Sequence, residues 1–353
     1  MKEKKGLAKG RPLEEWLPPI IEKAPAGVKK LLEKWKGIKE IIAYPTPSLP
    51  FPAEPIVKEP RWKIDEPFAI KVAPVGAYIS KEMNPNQVYA AEEIRDQLME
   101  CLDAGACAVH VHVRTPEGLH TLDPELYHRI IDPIKEKYGR NVLIDGCPEG
   151  GRTLEESVSS LIEFKDVIET SPITLAAIYW SDICLGWTKE SAISHVEIMQ
   201  ELGQKPEIVV HDTGSIEQAR DWLIDPGIYK PPVLWRICIG EPHLTVMHNT
   251  ESMLQIYNYC IRRILETEPD SRVIISMCGH GALYQMTFAA MYGPPVIGVR
   301  IGMEDSIWMY PHKNDLIPNN PKLIKQFITI LKAIGRRPAT ADEFRKMIGP
   351  PLA

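Results

Sequence analysis

The sequence predicts an α/β fold, a closed (β/α)8 TIM barrel behind a proline-rich N-terminal extension. From Phe68 onward, short apolar runs rich in β-branched residues alternate with longer amphipathic segments, the mark of parallel βα units. Eight such units follow one another over roughly 250 residues, the usual length of a closed barrel. No run is followed by GxGxxG or GxxxxGK[ST], the glycine signatures expected of the runner-up fold, an open doubly wound sheet.

Taken in order, strands are expected at 69–75, 106–113, 142–146, 167–170, 207–210, 233–239, 272–277 and 296–300. Helices are expected between and after them at 87–104, 124–138, 154–164, 189–202, 216–224, 250–266, 282–291 and 321–334. Asp123-Pro124 opens the second helix and Leu202-Gly203 stops the fourth. Residues 1–66 differ, being dense in proline with one helical patch at 28–42. They read as an arm along the body or a partner subunit, or as a lid, and residues 67–353 as the catalytic barrel.

Of the 353 residues, 44% are apolar and 25% charged, which excludes disorder and coiled coil for most of the chain. A net charge of -6 and the lack of a basic stripe argue against nucleic acid. No signal-peptide core or bilayer-length apolar run occurs, so no membrane partner is expected. The seven cysteines (Cys101, Cys107, Cys147, Cys184, Cys238, Cys260, Cys278) are odd in number and scattered, without a CxxC pair. They read as reduced thiols packed in a core, and the expected location is cytoplasmic.

The most informative segment is Ala108-Val-His-Val-His-Val-Arg114, at the end of the second strand. Side chains alternate along a strand, so His110 and His112 share a face and turn into the barrel. Two buried imidazoles are awkward to satisfy by hydrogen bonds, whereas a metal takes one nitrogen of each. After the eighth strand, Arg300-Ile-Gly-Met-Glu304-Asp305 brings a cation and two carboxylates to the rim where barrels do chemistry. Glu304 suits a third ligand, leaving an open position as a catalytic zinc site requires. The rim loops also offer Asp212 in His211-Asp212-Thr213-Gly214, His280 in Cys278-Gly-His-Gly281 and Glu149 in Pro148-Glu149-Gly150-Gly151. Each has a bland reading too: a helix cap for Asp212, a loop hydrogen bond for His280, a solvated acid for Glu149.

From about Phe68 to the C-terminus, AGACAVHVHVR, DPELYHRII, KPEIVVHDTG and VRIGMEDSIWM together resemble the β-keto acid cleavage enzymes, whose founding activity is 3-keto-5-aminohexanoate cleavage. The resemblance implies a barrel with one zinc ion per subunit, often a homotetramer, with zinc on His110, His112 and Glu304. It implies a β-keto acid substrate and acetyl-CoA as co-substrate. Arg300 and Asp305 match two members of the family's glutamate-arginine-aspartate relay, and Thr170 a strand-four threonine. The third relay member, on strand five, falls on Val209, so Asp212 or Glu149 would have to substitute. The family's glutamate after strand one is replaced by Tyr78 in Gly76-Ala77-Tyr78, and its Ser-Thr-Gly-Gly loop by Pro148-Glu149-Gly150-Gly151.

The sequence therefore predicts catalysis by Arg300 and Asp305, with Tyr78, Glu149, Thr170, Asp212 and His280 contacting substrate. The expected reaction is zinc-dependent retro-Claisen cleavage of a β-keto acid or related carbonyl compound. The alternatives are a CoA-independent zinc lyase or hydrolase, or a binding protein on the same scaffold.

Overall fold

A computed structural model describes residues 12–38, 60–175, 177–180, 183–241 and 247–350. By its internal contacts the chain divides into two units, Met1–Arg61 and Trp62–Ala353. Among its described residues the first holds two helices, α1 (Leu13–Glu22) and α2 (Ala26–Lys34), each entered from a proline, Pro12 and Pro25. The helix within the expected 28–42 patch thus begins earlier and ends at Lys34, and the patch from residue 39 lies outside the described residues.

In the second unit eight parallel strands close on themselves: β1 (Pro67–Val72), β2 (Ala108–His110), β3 (Leu143–Asp145), β4 (Ile168–Thr174), β5 (Lys205–Val210), β6 (Val233–Ile237), β7 (Ser271–Ser276) and β8 (Val296–Ile301). Closure is made by β1 against β8, with Lys71 beside Arg300 and Val72 beside Ile301. The open doubly wound alternative is excluded by that pairing. Outside the ring lie α3 (Ala91–Ala104), α4 (Pro124–Tyr138), α5 (Leu154–Glu163), α6 (Lys189–Glu201), α7 (Gly214–Ala219), α8 (Thr250–Thr267), α9 (Ala282–Tyr292) and α10 (Asn320–Ala333).

Strand and helix bounds shift from expectation where local chemistry intervenes. The second strand stops at His110, so His112 sits beyond it, before a short hairpin that pairs Val113 with Thr121. The first helix starts at Ala91 rather than 87, because the Gln87 side chain is occupied in donating to the Met303 carbonyl at 2.9 Å. Helix α7 is cut short at Ala219 and continues as one wide turn, Arg220–Ile224.

The sequence reading missed a last helix, α11 (Ala341–Ile348), capped by Thr340 and Glu343. Its Phe344 and Ile348 are buried with Ala69, Ala108, Leu143, Leu234 and Ile274, which closes the N-terminal end of the barrel with apolar side chains. A short strand, Arg337–Pro338, precedes it and pairs with the start of β1. The larger core lies between ring and helices, where outward residues such as Ile208, Val210, Trp235 and Ile275 are fully covered.

Above the apolar plug the interior becomes charged. Lys71 on β1 reaches Asp145 at 3.0 Å and Glu207 at 2.5 Å, and Arg236 donates to Glu207 at 2.7 Å. All four are essentially inaccessible to solvent. Like charges this deep are tolerated only as a paired network, so this layer fixes the register on which the mouth is built.

Candidate active site at the barrel mouth

At the C-terminal end of the ring, His110 and His112 turn toward Glu304, which enters from the loop after β8. His110 Nε2 lies 3.6 Å from Glu304 Oε2, and His112 Nε2 lies 3.4 Å from Glu304 Oε1. The other nitrogen of each ring is occupied. His110 Nδ1 donates to Asp145 Oδ2 at 2.7 Å, and His112 Nδ1 lies 3.2 Å from His120 Nε2. Asp145 also accepts from Thr170 Oγ1. Burial opposes ionisation of Asp145, yet Lys71 first and His110 next hold it well below the usual carboxylate range.

The Glu304 loop reaches this place because glycine occupies two positions. Gly302 adopts φ +156°, and a Cβ there would sit 1.9 Å from the Ala73 carbonyl oxygen. A Cβ on Gly76 would fall 2.3 Å from the Glu304 Cγ. Any larger residue at either position would push the carboxylate away from the two imidazoles.

Three observations bear on whether this set would hold a divalent ion. Each imidazole Nε2 lies one edge of a tetrahedral zinc sphere, about 3.3–3.8 Å, from Glu304, though the two reach different carboxylate oxygens. Glu304 Oε2 is buried without a hydrogen-bond partner. The His110 ring is oriented from behind by a carboxylate, as metal-ligating histidines are. Cys147, in the loop after β3, also has its sulfur within 4.8 Å of donor nitrogens of both histidines, which the sequence reading did not foresee.

Arg300 links the set to Asp305. Its Nη1 donates to Glu304 Oε1 at 2.7 Å, its Nη2 to Asp305 Oδ2, and its Nε to Ser276 Oγ at 3.3 Å. Burial pushes Asp305 up to about 8, against the pull of the Arg300 guanidinium. Opposing burial, Arg300 and the two imidazoles hold Glu304 well below its ordinary value. One arginine thus serves two carboxyl groups whose surroundings drive them apart.

The cavity above these groups is small, about 20 Å³, and is lined by Ala77, Tyr78, His112, Glu149, His211, Arg236, Glu241, Arg300, Glu304 and Asp305. Of the expected substrate contacts, Tyr78 and Glu149 lie on its wall, and Glu149 accepts from Thr174 Oγ1 at 2.6 Å. Burial raises the Tyr78 hydroxyl well above its ordinary value. Thr170 is fully buried beneath, holding Asp145. Two residues are elsewhere. Asp212 is exposed and accepts from the Ser215 amide at 2.8 Å at the start of α7, the capping role weighed above. His280 is exposed, stacks on Trp308 at 4.2 Å and faces a separate hollow with His248, Tyr284 and His312.

Sequence reading passed over Glu241, His211 and Arg236 in the cavity wall. A signal was present for Glu241 in Cys238-Ile-Gly-Glu241, a glycine-containing turn after the sixth strand like the rim loops that were read.

A family model described as β-keto acid cleavage enzyme matches residues 67–349. The chain belongs to that family. Among curated relatives, the 3-keto-5-aminohexanoate cleavage enzyme of Fusobacterium nucleatum is 26% identical over 294 residues, which cover 80% of this chain and 98% of that one. The 3-dehydrocarnitine:acetyl-CoA trimethylamine transferase of Rhizobium meliloti is 24% identical over 278 residues, 73% of this chain and 88% of that one. Among solved structures, apo ObcA superposes with a TM-score of 0.61 at 17% identity; the match covers 76% of this chain and 66% of that one, and it speaks to the fold alone. The matched region contains the whole ring and every residue of the mouth described above.

Proposed function

We propose that the chain catalyses zinc-dependent, retro-Claisen cleavage of a β-keto acid with acetyl-CoA as acetyl donor. The observation that carries this reading is the convergence of His110, His112 and Glu304 beside the Arg300–Asp305 pair at the mouth of the ring. The reaction balances as R-CO-CH2-COO⁻ plus acetyl-CoA giving acetoacetate and R-CO-CoA. The bond between the keto carbon and the CH2 breaks, the CH2-carboxylate unit joins the acetyl group, and CoA sulfur takes the R-CO group.

His110, His112 and Glu304 would hold the zinc, which supplies Lewis-acid polarisation of the substrate carbonyl. Asp305, buried and shifted toward neutrality, takes the substrate's proton and returns it. Arg300 fixes the Asp305 carboxyl and faces the negative charge that develops as the carbon–carbon bond rearranges. Tyr78 and Glu149 shape the cavity, and the Glu149 carboxylate disfavours a second anionic group on that side. The Rhizobium meliloti relative, named as an acetyl-CoA transferase, supports the co-substrate.

A second reading, a CoA-independent lyase or hydrolase on the same ion, is favoured by Val209 standing where the family relay has a glutamate. We further propose a cytoplasmic homotetramer as the working form. The test is turnover on a panel of β-keto acids with and without acetyl-CoA. Acetoacetate formed only when acetyl-CoA is present supports the first reading; equal turnover without it would establish the second.

A further inference from the structure

Across the cavity from the histidine pair, the ends of β5, β6 and β7 bring a second set of metal-binding donors together. His211 follows β5, Cys238 and Glu241 follow β6, and Cys278 follows β7. All four are at least nine-tenths buried. The Cys238 and Cys278 sulfurs are 3.5 Å apart, Cys238 Sγ is 3.2 Å from Glu241 Oε1, and His211 Nδ1 is 3.7 Å from Glu241 Oε2. The donor atoms of His211, Cys238 and Glu241 all lie within 4.8 Å of one another.

We infer that His211, Cys238 and Glu241, with Cys278 packed behind Cys238, form a second divalent-metal site, separate from the one on His110, His112 and Glu304. The Cys238–Glu241 and His211–Glu241 spacings are close to the edges of a tetrahedral sphere, about 3.3–3.8 Å for zinc bound by sulfur, nitrogen and oxygen. Glu241 Oε2 is buried without a hydrogen-bond partner, an arrangement that is costly unless something else takes its lone pairs. Two thiols packed against each other beside a carboxylate have too few donors to satisfy that carboxylate. One ion satisfies it together with the Cys238 sulfur and His211.

The donor set names the class of ion. Thiolate and imidazole ligands select zinc and its chemical relatives over magnesium or calcium. Three protein donors hold this ion between the ends of β5 and β6, in one wall of the cavity, and leave one position open. The Cys238 thiol loses its proton to solvent on binding. The Arg236 guanidinium acts on Cys238 and the Arg300 guanidinium on Glu241, each favouring the ionised form.

The test uses the full chain, stripped with a chelator under reducing conditions and titrated with zinc chloride or cobalt chloride. The wild type is expected to take up two equivalents. Cys238→Ser/Cys278→Ser should take up one. His110→Ala/His112→Ala should also retain one, with sulfur-to-cobalt charge-transfer absorption in the near ultraviolet. Should the double serine variant not fold, Glu241→Gln replaces it, with at least a tenfold loss of affinity for one equivalent only. A wild type that binds a single equivalent abolished by His110→Ala/His112→Ala overturns the inference, as does a serine variant that still binds two. Neither result touches the cleavage reading, which stands or falls on turnover and on the ion held by the histidine pair.

Discussion

Replacing Lys71 by methionine tests whether the charged layer inside the ring supports the chemistry above it. Lys71 is fully buried and is the only ammonium within reach of both Asp145, at 3.0 Å, and Glu207, at 2.5 Å, among the described residues. Glu207 keeps Arg236 when Lys71 is lost, but Asp145 keeps only His110 and Thr170. At an effective dielectric of about 20, the 3.0 Å pair with Asp145 is worth roughly 5.5 kcal/mol of Coulomb attraction, before desolvation is counted. Breaking one side of a buried pair costs about 3–5 kcal/mol in practice, and that is the expected loss of stability in urea unfolding. A second effect follows at the mouth. Without Lys71 the Asp145 carboxyl is held ionised less strongly, by His110 and Thr170 alone, and becomes a weaker acceptor for His110 Nδ1. Metal affinity, read by competition with a chromophoric chelator, should therefore fall by about 10–100-fold, the usual effect of removing support behind a ligand. The double variant Lys71→Met/Asp145→Asn should recover a large part of the stability lost in the single one, because no unpaired charge remains. A loss below about 1 kcal/mol for Lys71→Met, together with unchanged metal affinity, would refute the coupling between the two layers.

Two further outcomes follow from single groups. Asp305→Asn should keep the metal bound at full stoichiometry while kcat falls by about 10²–10⁴-fold, the usual contribution of a positioned proton carrier; a wild-type kcat would remove Asp305 from the reaction. Lys205 is buried, which lowers its ammonium from 10.5 to about 8. Between those values the unfolded chain binds more protons than the folded one, so stability gains with pH in that window and is penalised below it. Lys205→Met should accordingly be more stable than wild type at neutral pH, with the difference shrinking as pH rises from about 8 to 10.5. Unfolding curves for the two proteins that stay parallel across that range would contradict this.

What the sequence disclosed depended on the distance over which each signal is encoded. The ring was legible because each βα unit is a local pattern, repeated until its count matched a closed barrel. His110 and His112 were legible because a two-residue spacing fixes a shared face, and Glu304 because it sits in the same short turn as Arg300 and Asp305. Asp145, Lys71 and Glu207 belong to three different strands, and their meeting depends on the stagger of the ring, which no single segment records. Helix α11 carried its own signals, Thr340 three residues before Glu343 and Gly349 at its end, but the eight-unit count left no role for it. The cysteines show a different limit. Burial was read correctly for the six cysteines whose side chains are described, Cys184 lying outside them, yet burial alone does not distinguish Cys107, inside the apolar plug, from Cys238 and Cys278 beside carboxylates.

The departures from the family pattern lie on both sides of the mouth, with Tyr78 and Glu149 following β1 and β3 and Val209 on β5. His110, His112, Glu304, Arg300 and Asp305, on the wall built by β2 and β8, keep the residues that the family resemblance requires. On the opposite wall Val209 takes the place of the relay glutamate and is buried against Cys238 and Cys278. The nearby carboxylates are Glu207, one layer deeper and neutralised by Lys71 and Arg236, and Glu241, which enters from the next strand end. Burial first, and Cys238 next, raise Glu241 well above its ordinary value. A carboxyl that resists ionisation and faces two thiols is poorly suited to relay a proton to Asp305, and well suited to be ionised by an arriving cation. The residues on β2 and β8 that would bind and polarise are thus the shared ones, and the departures both flank them and face them across the mouth.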